Sequence, residues 1–445
     1  MGTALVTDFY ELTMASSYIQ QGMTAPATFS LFVRQLPPTR GFLIVAGLEE
    51  CLQYLEAFRF EKEDLAYLAS LGFPDEVLHA FASLRFTGDV WAIPEGRVVL
   101  ANEPLLEITA PMPEAQLIET YLLNKVTFHT AVASKAARCI IGAQGRFELV
   151  DFGLRRTQGL EAGMAAARTS AMVGFSATSN VEAARRYGLT PSGTMAHSYV
   201  EAFPEEIDAF RAFARDFPER TNLLVDTYDT LMGVTHAIEV IRELGLEQRA
   251  GIRLDSGDLS ALAHGARQLL DAAGLDEVRI VVSGSLDEHR LARLVRDGAP
   301  VDVAGVGTRM GVSADSPYLD TAYKLVVYDG RPVAKLSTDK ATYPGAKQVF
   351  RAKGVRDMLG LRDERPPKGT MPVLELAMKD GHRFRPPEAL EVQRTRYRFD
   401  AAELPASAME LVDPVAPTAE VTAALASLTE QVRSDIRLKN RSVLG

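Results

Sequence analysis

The chain has 445 residues, enough for two or three domains around a large buried core. Its hydrophobic share of 47% and charged share of 24% are those of an ordinary soluble globular protein. With 48 basic and 58 acidic residues the formal net charge is −10, and no block of lysine or arginine breaks that balance; this argues against a nucleic-acid partner and leaves small polar ligands. In chain order, residues 6–24 read as a helix, with Thr7 and Asp8 as caps and an apolar stripe through Leu12, Met14, Ala15, Tyr18 and Ile19. Tyr10 falls in its first turn, where the ring is expected to pack in a core or an interface. Residues 28–46 alternate like strands and 47–85 look helical. GDVWAIPEGRVVLANEPLLEITAP carries two turn signals and reads as a small antiparallel β element, followed by a long helix over about 114–141.

From residue 147 the organisation changes. Seven apolar runs recur: FELVDFGLR, AMVGFSATS, GTMAHS (193–198), NLLVDTYDT, GIRLDSGD, RIVVSGSL and VDVAGVGT. Amphipathic segments separate them at the period of βα units, which predicts an irregular or incomplete TIM-like barrel, with an open doubly wound sheet as the alternative. No G-x-G-x-x-G follows the first strand, so dinucleotide binding is not indicated. Beyond residue 308 the pattern is β again: AYKLVVYDGRPVAKLS is a hairpin with Asp329-Gly330 as its turn. The basic, turn-rich STDKATYPGAKQVFR follows, then short strands over 350–415 and a helix from near Thr418. The expected division is an N-terminal α/β domain (1–110), an α/β barrel (111–335), and a C-terminal β-containing segment with a terminal helix (336–445).

Two cysteines, Cys51 and Cys139, belong to no CxxC or Cys/His cluster, so neither a zinc site nor a disulfide framework is expected. The N-terminus lacks the pattern of a signal peptide, and no apolar run approaches about 18 residues. A cytoplasmic protein without a membrane partner is the expectation.

In parallel α/β folds, chemistry collects at the C-terminal strand ends. The residues there are Arg155-Arg156, Thr178-Ser179-Asn180, Thr194, His197, Asp226, Asp229, Arg253, Asp255, Asp258, Ser283-Gly284-Ser285, Gly305, Gly307 and Thr308. Arginines offer forked donors to phosphate or carboxylate, glycine turns let backbone N–H groups approach phosphate oxygens, and carboxylates can hold Mg²⁺ or ribose hydroxyls. Each of these is also an ordinary turn or helix cap, but their recurrence at successive tips points to a phosphorylated sugar ligand. His197 alone among seven histidines follows a strand run at this end; it can act as base or nucleophile, with Asp226 or Asp229 orienting its second nitrogen. No tip carries a lysine for Schiff-base chemistry, and no G-x-x-x-x-G-K-[ST] is present.

With those residues assembled, the chain resembles the nicotinate phosphoribosyltransferase family, in TDFYELTMA, DFGLRRTQG, GFSATSNVEAA, GTMAHSYV, LLVDTYDT, RLDSGDL, GVGTRMG and KLSTDKATYPGAKQVFR, found in that order. The resemblance implies a type II phosphoribosyltransferase fold, an irregular α/β barrel with flanking segments, working as a homodimer. It implies transfer of nicotinate onto 5-phosphoribosyl 1-diphosphate in NAD salvage, with ATP as co-substrate, Mg²⁺ as cofactor, and His197 phosphorylated. Tyr10 then matches a tyrosine that reaches across the dimer to the pyridine ring. Phe152 matches the ring on its other face, Arg155 a nearby arginine, and Thr194 and Arg253 residues at the nicotinate. Asp255, Ser283, Gly284, Gly305, Gly307 and Thr308 would lie around ribose and phosphates, with His197, Asp226 and Asp255 as the catalytic set. Nicotinamide-using relatives place an aspartate where Ser179 falls; a serine can donate to the nicotinate carboxylate, whereas an aspartate would repel it. The alternatives are a nicotinamide phosphoribosyltransferase, another sugar-phosphate enzyme on this barrel, or a binding protein without catalysis.

Overall fold

The computed structural model describes residues 4–336 and 342–443, so Ser337–Ala341 of the basic turn-rich stretch lie outside the described residues. The chain divides into two compact units: residues 1–131 with 318–445, and residues 132–317. The breaks thus fall after 131 and 317, whereas the sequence placed them near 110 and 335, and the N- and C-terminal segments share one unit.

The central unit is built on seven short strands: β1 (Glu148–Asp151), β2 (Ala177–Thr178), β3 (Thr190–Pro191), β4 (Asn222–Leu224), β5 (Gly251–Leu254), β6 (Arg279–Val282) and β7 (Val303–Val306). They form one sheet in the order β3-β2-β1-β7-β6-β5-β4, with every neighbouring pair parallel. This is the cyclic order of a (β/α) barrel opened between its third and fourth strands. Among the described residues no ladder joins β3 to β4, so the sheet is a parallel half-barrel in barrel order, in line with the incomplete form of the TIM-like expectation, and a closed barrel is not formed. Ile252 and Leu254 of β5, and Ile280 and Val282 of β6, are fully buried, as a parallel sheet covered on both faces requires.

The run 193–198, expected as a strand, is not one. The ladder stops at β3, and His197 instead begins a short helix, α1 (His197–Glu201). The Met195 carbonyl instead accepts from a side chain, Arg253 Nη1, at 3.2 Å. Four helices following strands start at Asx caps. Asn180, Asp229, Asp258 and Asp287 accept from the N–H groups of Ala183, Met232, Ala261 and Arg290 respectively. Each such cap is worth about 1 kcal/mol, and together they fix the turns that carry the strand-tip residues.

The other unit holds a seven-stranded sheet in which every neighbouring pair is antiparallel. Its order is Arg331–Pro332, Thr321–Tyr328, Pro26–Val33, Pro104–Pro111, Asp89–Ala92, Glu375–Lys379, His382–Arg383. Phe29 stacks on Tyr323 at 4.7 Å within its core. The expected hairpin forms, with Asp329 and Gly330 both at positive φ (49° and 69°), the geometry of a tight two-residue turn. The N-terminal helix runs over Phe9–Gln20, and a long helix, Glu119–Ala143, leads out of this unit. A helix at Leu390–Ala402, in a stretch expected to be strands, closes the C-terminal part with the terminal helix Ala423–Val443. No helix among the described residues is long and apolar enough to cross a membrane.

Candidate active site

The organising group of the central unit is Arg253, the third residue of β5, only 9% exposed. Its Nε donates to Ser283 Oγ at 2.8 Å from the tip of β6. Nη1 donates to Thr194 Oγ1 at 2.9 Å and to the Met195 carbonyl at 3.2 Å, from the segment after β3. Nη2 donates to Asp255 Oδ1 at 2.6 Å. The same Asp255 oxygen accepts from the Ser283 hydroxyl. Burial works against the Asp255 carboxylate, but Ser283 and the Arg253 guanidinium outweigh it and hold its pKa below the usual range. The guanidinium carbon lies 5.6 Å from the centroid of the Phe152 ring, within cation–π reach.

Phe152 follows β1, and its ring lies over Gly305 of β7. A Cβ on Gly305 would sit 2.6 Å from two ring carbons, and one on Gly307 would sit 2.8 Å from the Phe152 carbonyl oxygen. Both glycines are therefore needed for this close packing. Gly284 has φ +94° and a Cβ there would meet the Asp255 carbonyl at 1.9 Å, so the Ser283-Gly284 turn is pressed against the β5 tip. Beneath Phe152, the buried Asp151 accepts from the Gly153 N–H at 2.8 Å and the Thr178 hydroxyl at 2.7 Å; burial still raises its pKa.

His197 sits opposite a carboxylate pair. Its Nε2 is 3.9 Å from Asp226 Oδ1 and 4.0 Å from Asp255 Oδ2, and its Nδ1 is 3.2 Å from Thr227 Oγ1. Asp226 is held from one side only. Its Oδ2 accepts from the Asp255 N–H at 3.0 Å and the Ser256 hydroxyl at 2.6 Å, whereas Oδ1 is buried with no hydrogen-bond partner. A rigid carboxylate with one free buried oxygen aimed at an imidazole is an arrangement that orients the ring and calls for a donor or a cation. The imidazole is 38% exposed, open to a ligand.

The structure thus brings together Thr194, His197, Asp226, Arg253, Asp255, Ser283, Gly284, Phe152, Gly305 and Gly307. Thr308 opens a four-residue helix just beyond Gly307. Arg155 is exposed in a short 3₁₀ turn and makes no hydrogen bond or ion pair among the described residues. Ser179, at the tip of β2, donates its N–H to the Asp151 carbonyl at 2.7 Å, and its hydroxyl has no partner among the described residues. Tyr10 belongs to the other compact unit, with its ring 48% exposed. Asp229 and Asp258 act as helix caps. The sequence reading missed Thr227, Ser256, Asp151 and the Met195 carbonyl. Thr227 and Ser256 each stand beside an aspartate already singled out, which was the available signal.

Residues 5–127 match the family model for the nicotinate phosphoribosyltransferase N-terminal domain, and residues 147–356 the model for the nicotinate phosphoribosyltransferase family. The chain belongs to the nicotinate phosphoribosyltransferase family. A nicotinate phosphoribosyltransferase of Mycobacterium tuberculosis is 48% identical over 389 residues, covering 86% of this chain and 83% of the relative. One from Bacillus subtilis is 43% identical over 358 residues, covering 78% and 73%. Among solved structures, human nicotinic acid phosphoribosyltransferase superposes with a TM-score of 0.85 at 30% identity, over 96% of this chain and 99% of that one. A nicotinate-nucleotide pyrophosphorylase from Pyrococcus furiosus shares the fold, with a TM-score of 0.75 at 23% identity over 90% of this chain and 95% of that one. The strand-tip cluster around Arg253 and His197 lies wholly within the segment that matches the nicotinate phosphoribosyltransferase family model.

Proposed function

We propose that the protein joins nicotinate to 5-phosphoribosyl 1-diphosphate in NAD salvage, giving nicotinate mononucleotide and diphosphate, with ATP hydrolysis coupled through a phosphorylated His197. The observation that carries this reading is the Arg253 cluster, which supports recognition of an aromatic carboxylate. A buried, fixed guanidinium lies beside the Phe152 ring, with the Thr194 and Ser283 hydroxyls attached to it. In the transfer, the pyridine nitrogen forms a bond to the anomeric carbon while the bond to the diphosphate oxygen breaks and its electrons leave with diphosphate. The ribosyl group becomes cation-like on the way, and the Asp226 and Asp255 carboxylates are the groups that would stabilise it. Gly284, Gly305, Gly307 and Thr308 stand at the ends of β6 and β7, where backbone N–H groups would meet phosphates, and Arg155, unpaired among the described residues, is free to meet an anion.

For ATP, a ring nitrogen of His197 takes the γ-phosphoryl group and ADP leaves; water later attacks the phosphorus, the N–P bond breaks, and inorganic phosphate departs, leaving the nitrogen free. Asp226 Oδ1 orients the ring by facing Nε2. Extra negative charge on His197 alters the field at the neighbouring diphosphate site, so phosphorylation and substrate affinity are linked. Among the described residues no group of three or more His, Cys, Asp or Glu forms a metal cage. Mg²⁺ does not need one, since one or two carboxylates plus substrate phosphates suffice. The buried unpaired oxygen of Asp226, with Asp255 beside it, suits that role, and the ion would offset charge on the diphosphate. A homodimer in which Tyr10 reaches the partner's site is part of the proposal, supported by its half-exposed ring.

The test is product formation from 5-phosphoribosyl 1-diphosphate and Mg²⁺ with nicotinate or nicotinamide. Nicotinate mononucleotide is expected, and Ser179→Asp should lower kcat/KM for nicotinate at least about tenfold by like-charge repulsion. Turnover of nicotinamide in preference would overturn the choice of base, and no product with either would return the function to another sugar-phosphate chemistry.

A further inference from the structure

The short helix that begins at His197 is held in place by two longer ones. α1 (His197–Glu201) turns into α2 (Glu206–Asp216), and α2 lies against α3 (Thr230–Leu244). Tyr199 of α1 packs edge-on against Phe213 of α2 at 5.8 Å, and Val200 is fully buried, so α1 and α2 form one packed piece. α3 belongs to the tip of β4. Asp229 caps it, and Thr227 stands 3.2 Å from Nδ1 of His197. Gly233 of α3 lies so close to the strand end that a Cβ there would meet the Val225 carbonyl oxygen at 2.1 Å. The placing of His197 against Thr227 and Asp226 is therefore the placing of α2 against α3.

One buried hydrogen bond joins those two helices. Glu206, the first residue of α2, is only 7% exposed. Nδ1 of His236, on α3, donates to its Oε2 at 2.9 Å, the direction that a carboxylate acceptor imposes. The other oxygen, Oε1, is buried with no hydrogen-bond partner. Among the described residues, His236 is thus the one donor to this carboxylate. Farther along the same helices Arg211 meets Glu239 at 2.7 Å and Glu243 at 2.6 Å, and Arg215 meets Glu243 at 3.0 Å. Those pairs lie at the surface, where long side chains adapt to several registers and water screens them. Glu206 and His236 do not have that freedom, because a buried carboxylate deprived of its donor is left unsatisfied.

We propose that Glu206 and His236 are positioning residues for His197: their bond fixes the register of α2 on α3 and so keeps the His197 ring facing Thr227 and Asp226. The inference rests on the reading of His197 as the phosphoryl acceptor. Arg253, Asp255 and Ser283 stand at the tips of β5 and β6, outside these helices. The pair therefore governs phosphoryl uptake from ATP and leaves the transfer of nicotinate in place.

The test sets two rates side by side in full-length variants: labelling of the protein by γ-labelled ATP, and formation of nicotinate mononucleotide without ATP. In His236→Ala the labelling rate should fall about tenfold or more, the worth of a hydrogen bond to a charged group, while the ATP-independent rate stays near that of wild type. His236→Asn, whose amide nitrogen falls where Nδ1 stands, should restore labelling. Arg211→Ala, which removes surface pairs from the same two helices, should leave it unchanged. Wild-type labelling in His236→Ala, an equal fall in both rates, or no rescue by asparagine would each overturn the inference. If the alanine variant does not fold, His236→Gln takes its place, since its amide reaches the Nε2 position instead; the same loss is expected, and wild-type labelling there would overturn the inference equally. A wild-type enzyme that takes no label would remove the phosphohistidine reading and the inference with it, whereas the other adverse results strike the positioning role alone.

Discussion

Replacing Arg253 by lysine keeps the positive charge and removes the geometry, which makes it the most informative single substitution in the site. The guanidinium makes four hydrogen bonds, to Ser283, Thr194, the Met195 carbonyl and Asp255, in directions fixed by its planar fork. A lysine ammonium on its flexible stem can meet one or two of those at once. With the site 9% exposed, water does not fully replace the missing donors. Losing two hydrogen bonds, one of them to a carboxylate, is worth about 3–4 kcal/mol, with a smaller loss from the Phe152 contact. That corresponds to a fall of about 10²–10³ in kcat/KM for nicotinate. The assay is steady-state kinetics at saturating 5-phosphoribosyl 1-diphosphate, paired with a thermal melt to confirm folding. A folded Arg253→Lys enzyme within threefold of wild type would refute the role given to the guanidinium.

Gly305→Ala puts a methyl group 2.6 Å from the Phe152 ring, and overpacking of this kind costs about 1–3 kcal/mol. The ring must turn, so nicotinate affinity by calorimetry should drop about tenfold while the fold survives; wild-type affinity would contradict the packing argument. Glu11 gives a pH-dependent stability. Its folded pKa is raised to about 7 from 4.5, so its contribution is fully present below pH 4.5 and is lost as pH rises through 7. Glu11→Gln removes that loss, and its melting temperature relative to wild type should climb by a few degrees, about 3 °C or more, between pH 5 and pH 8. A constant offset across that range would mean that Glu11 carries its charge without cost.

The βα period was legible because parallel strands buried on both faces read as apolar runs separated by amphipathic helices. Where the reading went astray, the physics is specific. The run AMVGFSATS spans the buried end of the helix Leu160–Val173, a glycine stop at Gly174 with φ +124°, and only then the two residues of β2. Periodicity cannot separate a buried helix end from a strand. The helix Leu390–Ala402 was missed because its buried face is Gln393, Tyr397 and Asp400, so no hydrophobic period marks it. Asp400 is instead held by Arg97, Arg351 and the Val98 N–H, partners from distant parts of the chain. An incomplete barrel was among the expectations, but the place where it opens was not legible: the segment after β3 is held by Arg253, a contact 58 residues away in sequence.

The aspartates of the strand tips show how far a site can be read. All of Asp226, Asp229, Asp255 and Asp258 fit either a cap or a ligand. The two standing immediately before helices are caps, and the two placed three residues earlier face His197. That spacing rule was available in the sequence. The choice of Ser283 as an Arg253 partner was not, since it depends on the register of β5 against β6.

The measurement that bears most directly on the account is the yield of nicotinate mononucleotide with and without ATP, in wild type and His197→Ala, with acid-labile phosphate on the protein followed after incubation with γ-labelled ATP. The account predicts that ATP accelerates the wild-type reaction and labels the protein. It also predicts that His197→Ala keeps a slow ATP-independent transfer, takes no label and gains nothing from ATP. Label and ATP stimulation surviving in His197→Ala would contradict it.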